Sequence, residues 1–107
     1  MAVITYPFDT YRIFHKTRES ISNETARIVC FDGSRWRGTL FFYRNPAPAL
    51  ASVHLGTDAL YLRFDDWMYP HIIDTLRNES PLFLTLDDNT GRGWVATSDE
   101  PVGEEEG

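Results

Sequence analysis

Arginine and aromatic residues alternate along one predicted β-hairpin, and they are the strongest chemical signal in the chain. The two strands span residues 26–31 and 35–43 and flank an Asp-Gly-Ser turn. Because side chains alternate between the two faces of a strand, one face of the hairpin collects arginines and rings. The candidate binding residues on this Arg/aromatic face are Arg27, Phe31, Arg35, Arg37, Phe41 and Tyr43. Arginine forks hold phosphates or carboxylates and rings stack on bases, so the face suits either a protein interface or nucleic acid.

The pairing register of this hairpin is predicted by matching its apolar positions. A three-residue loop pairs Cys30 with Trp36 and gives one coherent apolar face. A two-residue loop pairs Cys30 with Arg35 and mixes apolar and charged positions. We therefore predict the three-residue loop, which places Arg37 on the Arg/aromatic face.

Two pairs of aspartates flank the one predicted helix. Asp65 and Asp66 end the strand before it, and Asp87 and Asp88 end the strand after it. A strand-helix-strand crossover usually makes its two strands parallel, and as close neighbours they would gather all four carboxylates at one edge. Such hard oxygen ligands suit Mg²⁺ or Ca²⁺. The same residues also fit a helix cap and a turn without any metal, so a metal-dependent enzyme or metal-binding protein is our second alternative.

No catalytic motif is recognisable. His15, His54 and His71 lack the spacing of a metalloenzyme helix, and Ser34 lacks a nucleophile-elbow motif. Cys30 is the single cysteine, which excludes an internal disulfide, and its place on the apolar face predicts a buried hydrophobe. We expect no cofactor, and we expect that the protein is not an enzyme.

Charge is divided unevenly along the 107 residues, whose formal net charge is −6. Residues 1–57 have a net charge of +3, and residues 58–107 have −9. Five acidic residues lie in 99–107, so we predict one β-rich domain at 1–98 followed by a disordered acidic tail, whose acids would mask the arginines. Two oppositely charged halves, together with more large rings than one small core needs, favour a homodimer.

The other elements follow from hydrophobic periodicity. A helix at about 66–78 carries Tyr69, Ile72, Ile73 and Leu76 as one apolar stripe. Further strands are predicted at residues 10–21, 51–55, 60–64, 82–86 and 93–97. The fold class is therefore mainly β (α+β by strict count). We expect a small antiparallel barrel or strongly bent sheet of six or seven strands, with one helix before the last hairpin.

These observations lead to one functional expectation and a ranked alternative. We predict a non-catalytic homodimeric interaction or ligand-binding module, with an unknown protein or small ligand as partner. The alternative is a nucleic-acid-binding small β barrel that uses the Arg/aromatic face. It is not favoured, because the isoelectric point is about 4.9 and Lys16 is the only lysine. A secretory signal and a membrane-spanning stretch are not recognisable, so we expect a cytoplasmic protein without a membrane partner.

Overall fold

Eight strands and one helical segment form the described part of the chain. In a computed structural model, residues 3–16, 23–45, 51–56 and 58–98 are described. The strands are β1 (Val3–Phe8), β2 (Thr10–His15), β3 (Glu24–Asp32), β4 (Arg35–Tyr43), β5 (Val53–Leu55), β6 (Ala59–Asp65), β7 (Leu82–Asp87) and β8 (Arg92–Thr97). A 3₁₀ turn (Asp66–Met68) leads into helix α1 (Tyr69–Asn78). The predicted class, mainly β with one helix before the last hairpin, is confirmed.

The strands form two sheets. One is antiparallel and has the order β1-β7-β8, and the other has the order β2-β3-β4-β6-β5. Within the five-stranded sheet β4 and β6 are parallel, and the other neighbours are antiparallel. In the part of the chain described here, the two sheets do not close into a barrel.

Asp9 is the corner at which the chain passes from one sheet to the other. Its N–H donates to the Phe31 carbonyl at 2.9 Å, and its carboxylate accepts the N–H of Gly33 at 3.0 Å. These bonds fasten the corner to the β3–β4 turn. Of the strand predicted at 10–21, β2 forms the first half, and 17–22 lie outside the described residues.

The β3–β4 hairpin differs from its predicted register. Asp32 pairs with Arg35, so the loop has two residues, and Gly33 there adopts a φ of +63° that glycine tolerates well. A β-bulge then shifts the ladder, and Cys30 pairs with Gly38 instead of Trp36. The prediction of a three-residue loop was wrong.

The apolar face of this hairpin was nevertheless predicted correctly, except that Trp36 lies on the opposite face. Because alternation resumes after the bulge, the inward side chains of β3 and β4 are all buried. They are Ala26, Ile28, Cys30, Leu40 and Phe42.

Glycine 38 allows β4 and β6 to approach closely. A Cβ atom at this position would lie 2.5 Å from the carbonyl oxygen of Leu60 and 2.7 Å from a methyl group of Leu84. Neither distance is possible for a real Cβ, so the parallel pairing of β4 with β6 depends on a residue without a side chain.

In the β5–β6 hairpin Leu55 pairs with Ala59, and Asp58 in the turn has a φ of +63°. Helix α1 follows with the predicted apolar stripe, of which Ile72 and Leu76 are buried. Its Pro70 lies in the first turn, where proline is tolerated.

One hydrophobic core fills the space between the sheets and α1. The fully buried side chains at its centre are Ile28, Cys30, Leu40, Phe42, Leu60, Leu62, Leu84 and Leu86. None of the helices in the described ranges is long and apolar enough to cross a bilayer. The predicted tail at 99–107 lies outside these ranges.

Candidate functional site

The outer face is the surface of the five-stranded sheet opposite the core. It carries Arg12, Phe14, Lys16, Arg27, Val29, Phe31, Trp36, Thr39, Phe41, Tyr43, Tyr61, Arg63 and Asp65. Most of the residues predicted from the β3–β4 hairpin therefore remain together, and β2 and β6 add further arginines and rings on either side.

Four residues form a row across the outer face in which rings and arginines alternate. Phe14 lies opposite Arg27, Arg27 opposite Phe41, and Phe41 opposite Arg63. The guanidinium carbons of Arg27 and Arg63 are 4.9 and 5.1 Å from the centre of the Phe41 ring. Phe41 is only 7% exposed, because both arginines and Tyr61 cover it. The Phe41 ring of this row is thus partly covered by the planar guanidinium groups of two arginines.

Glu24 holds Arg27 in place. The Nε and Nη2 atoms of Arg27 donate to the two carboxylate oxygens of Glu24 at 2.6 and 3.0 Å, and this bond raises the pKa of Arg27. Lys16 Nζ lies 3.8 Å from the same carboxylate. A bulge between Glu24 and Ala26 turns Glu24 to the outer face, where it is 5% exposed. The Glu24 carboxylate therefore forms ion pairs with both Arg27 and Lys16.

Arg63 and Arg12 contact neutral groups. Arg63 donates to the hydroxyl of Tyr43 at 2.6 Å and to the carbonyl of Ala51 at 3.0 Å, while Arg12 lies over the Phe31 ring at 5.6 Å. Neither has a carboxylate within 4.0 Å among the residues that the structure describes. These two arginines are missing from the residues predicted from sequence. Alternation along β2 indicates Arg12, but Arg63 joins the face only through the parallel pairing of β4 and β6.

Of the three predicted rings, Phe31 is half-buried, and Phe41 and Tyr43 are buried. Three rings that were not predicted are also accessible, since Phe14 is 43% exposed and Trp36 and Tyr61 are half-buried. Trp36 reaches this face because the bulge reverses its direction, and its Nε1 donates to Thr39 at 3.2 Å. Flat ligand groups would therefore stack on the outer rings, and Phe41 and Tyr43 support the arginines from beneath.

Two predicted arginines lie elsewhere. Arg35 is at the hairpin end, where its guanidinium donates to Asp58 at 3.2 Å. Arg37 turns to the core side at the bulge, so its predicted place on the Arg/aromatic face was wrong. Its guanidinium carbon is 4.2 Å from the centre of the Tyr6 ring, and the residue is 9% exposed. Its buried Nε has no hydrogen-bond partner in the described part of the chain.

Tyr6, whose ring Arg37 contacts, also links β1 to the β5–β6 hairpin. Its hydroxyl is 2.8 Å from His54 Nε2 and donates to Asp58 at 3.4 Å. Burial and the nearby Asp58 carboxylate together raise the pKa of Tyr6. The phenol is therefore neutral at physiological pH and acts as a hydrogen-bonding group.

The four aspartates are not gathered at one sheet edge. Asp65 ends β6 in the five-stranded sheet, and Asp87 ends β7 in the three-stranded sheet, so the two strands are not neighbours. The crossover runs between sheets, so the neighbouring strands that would gather the four carboxylates are not formed. Within the described ranges, no three His, Cys, Asp or Glu side chains are grouped to hold a metal ion. Asp87 instead accepts the N–H of Asn89 at 3.0 Å and shapes the β7–β8 turn.

The thiol of Cys30 is not accessible as a nucleophile. The side chain is fully buried, and burial raises the pKa of its thiol to about 12. The thiolate is the reactive form of cysteine, so the protonated Cys30 of the folded protein is inert at neutral pH. It serves as a small apolar residue of the core.

Comparison with known proteins gives no assignment. No protein-family model matches the chain, and no curated protein or solved structure is similar to it at a significant level. The outer face is thus the basis of the functional interpretation. Its four cations and two carboxylates, Glu24 and Asp65, give it a local charge of +2, although the whole chain is acidic.

Proposed function

We propose that the protein is a non-catalytic binding module whose outer face binds single-stranded nucleic acid. The observation that carries the proposal is the alternating row of Phe14, Arg27, Phe41 and Arg63. Proteins that bind single strands combine cations for the phosphates with flat groups on which bases stack. Guanidinium planes and rings both provide such stacking surfaces.

The charge of the outer face favours an anionic partner over a second copy of the same face. Two outer faces placed together would bring a charge of +2 against +2, which opposes association. The homodimer predicted from sequence therefore gains no support from this surface. A phosphate backbone instead releases counterions when it meets arginines, which drives binding.

The positions of the accessible rings suit an extended strand. Phe14 lies on the edge strand β2, and Trp36 and Tyr61 lie on the interior strands β4 and β6. Arg12 and Arg63 are the two outer-face cations that form no ion pair with a carboxylate among the described residues. We therefore assign them to phosphates. Every base has a flat face, so this arrangement predicts little sequence preference.

The acidic segment 99–107 is expected to compete with nucleic acid for the arginines. Its five carboxylates are chemically able to contact the cations that phosphates would contact. A chain ending at Ser98 is therefore expected to bind an oligonucleotide more tightly than the whole chain. Equal affinity of the two chains contradicts this competition and leaves the binding site itself unaffected.

The experiment that tests the proposal is a fluorescence-anisotropy titration with a labelled single-stranded oligonucleotide of about 12 nucleotides at low salt. Arg63→Gln is expected to weaken binding about tenfold, through loss of one charge-assisted phosphate contact. Arg92→Gln is the matched control, because Arg92 is exposed on the three-stranded sheet. Absence of binding by the unaltered protein, or equal losses in both variants, contradicts the proposal.

A further inference from the structure

Strand β2 is an edge of the five-stranded sheet, and no second described strand pairs with it. Lys16 donates its N–H to the carbonyl of Thr25 at 3.0 Å, which fixes which residues of β2 bond to β3. In an antiparallel pair every second residue turns its backbone N–H and C=O away from the neighbour. In β2 the residues with outward backbone groups are Tyr11, Ile13 and His15.

Hollows flank this edge on both faces of the sheet. A groove of about 510 Å³ separates β2 from α1, and Ile13, Tyr69 and Ile73 are among its walls. On the outer face a hollow of about 380 Å³ is lined by Phe14, Val29 and neighbouring cations. A strand added to β2 would send alternate side chains to the two faces, so each hollow offers room for them.

We propose that β2 pairs antiparallel with β2 of a second copy about a two-fold axis at Ile13. Two five-stranded sheets then join into one sheet of ten strands. Ile13 lies opposite the partner's Ile13, and Tyr11 lies opposite the partner's His15. These are the residues with outward backbone groups, so the pairing forms a regular ladder with no change to the β2–β3 bonds.

Charge selects Ile13 as the centre of the pairing. A two-fold axis at Arg12 places Arg12 opposite the partner's Arg12, and an axis at Phe14 places Arg12 opposite the partner's Lys16. Like charges directly opposite each other destabilise a ladder. With the axis at Ile13, Arg12 faces the ring of the partner's Phe14, an attractive cation–π pair. The same contact gives Phe14, which is 43% exposed in one chain, a neighbour beside its ring.

The first test is the mass of the whole chain in solution, measured by sedimentation equilibrium, with two matched variants. Phe14→Lys and Phe14→Glu both remove the ring, but only the lysine repels the partner's Arg12. The unaltered protein and Phe14→Glu are expected to be dimers. Phe14→Lys is expected to have a dimer dissociation constant at least tenfold larger than that of Phe14→Glu. A monomeric unaltered protein, or equal constants for the two variants, overturns the inference.

The second test determines the register. Directly opposite residues that do not exchange backbone bonds have Cα atoms about 4.5 Å apart, within reach of a disulfide. A mixture of Arg12→Cys chains and Phe14→Cys chains is therefore expected to form a covalent dimer on oxidation. Either variant alone places its cysteines diagonally, beyond about 7 Å, and is expected to crosslink much less. A dimer that fails to crosslink in the mixture contradicts the Ile13 axis.

The inference does not rest on nucleic-acid binding. A monomer that binds the oligonucleotide overturns the β2 pairing alone, and a dimer that binds no oligonucleotide overturns the proposed function alone. If both are correct, the two outer faces form one continuous surface, because the joined strands belong to the same sheet.

Discussion

Arg63 and Phe41 lie directly opposite each other on the parallel strands β6 and β4, with the guanidinium carbon 5.1 Å from the ring centre. Arg27 approaches the same ring from β3 at 4.9 Å. A phenylalanine on the outer face is thus buried by two cations and the Tyr61 ring rather than by another layer of the fold.

The ion pair between Arg27 and Glu24 is expected to stabilise the fold. Arg27→Met removes both hydrogen bonds to a carboxylate that is 5% exposed, and the free energy of unfolding should fall by about 1–3 kcal/mol. Arg12→Met, at an exposed arginine over Phe31, should cost less than about 1 kcal/mol. Urea unfolding of both variants measures the difference. A loss for Arg27→Met no larger than for Arg12→Met contradicts the structural role of the pair.

Arg37 is expected to be dispensable for stability. Its cation–π contact with Tyr6 is worth about 0.5–2 kcal/mol, whereas its buried Nε without a hydrogen bond costs about 1–3 kcal/mol. Because the cost is the larger of the two, Arg37→Met should raise the free energy of unfolding by about 0.5–1 kcal/mol. Thermal and urea unfolding test this. A loss of more than about 1 kcal/mol would show that the contact with Tyr6 dominates.

Gly38 is expected to tolerate no side chain. The backbone oxygen of Leu60 would lie 2.5 Å from an added Cβ, so Gly38→Ala must separate β4 from β6 and should cost about 3 kcal/mol or more. Gly56→Ala is the control, since nothing lies within 4 Å of a Cβ built there. Its effect should stay within about 0.5 kcal/mol. Similar effects of the two substitutions in urea unfolding contradict the described approach of the strands.

The buried thiol of Cys30 predicts a loss of stability at alkaline pH. Burial raises its pKa to about 12 in the folded protein, while the unfolded chain ionises near the ordinary value of about 8.5. Between these values the unfolded state binds fewer protons, so the free energy of unfolding falls as pH rises from about 9 toward 12. Below that range the thiol is protonated in both states and has no effect.

Cys30→Ala provides the control for this pH dependence. The raised pKa values of Tyr6 and Tyr69 lower stability in the same direction above pH of about 10, and they remain in the variant. The unaltered protein should therefore lose stability more steeply than Cys30→Ala between pH of about 8.5 and 10. Parallel curves in that range of pH contradict the assignment.

Local patterns in the sequence predict much of this fold. Side-chain alternation identifies the buried positions Ile28, Cys30 and Leu40, and the stripe of α1 identifies Ile72 and Leu76, because each pattern depends on the geometry of a single element. The turn at Asp32 and Gly33 is predicted for the same reason. What such patterns leave undetermined is the pairing between distant segments.

Three features of the site depend on such long-range geometry. The bulge before Gly38 exchanges the faces of Trp36 and Arg37, and alternation alone does not reveal where a ladder is interrupted. Parallel pairing with β4 brings Arg63 to the outer face, although the connection between those strands contains β5. The crossover from β6 to β7 passes between two sheets, which separates the aspartates that a single sheet would gather.

Binding of a phosphate backbone by the outer face is tested by the salt dependence of oligonucleotide affinity. The outer face supplies about three to four phosphate contacts, from Lys16, Arg12, Arg27 and Arg63. A plot of the logarithm of the association constant against the logarithm of the salt concentration should therefore have a slope of about −2 to −3. Arg63→Gln should make the slope less steep by about 0.7, and Arg92→Gln should leave it unchanged. A slope near zero, or no binding at low salt, would show that the outer face does not bind the phosphate backbone.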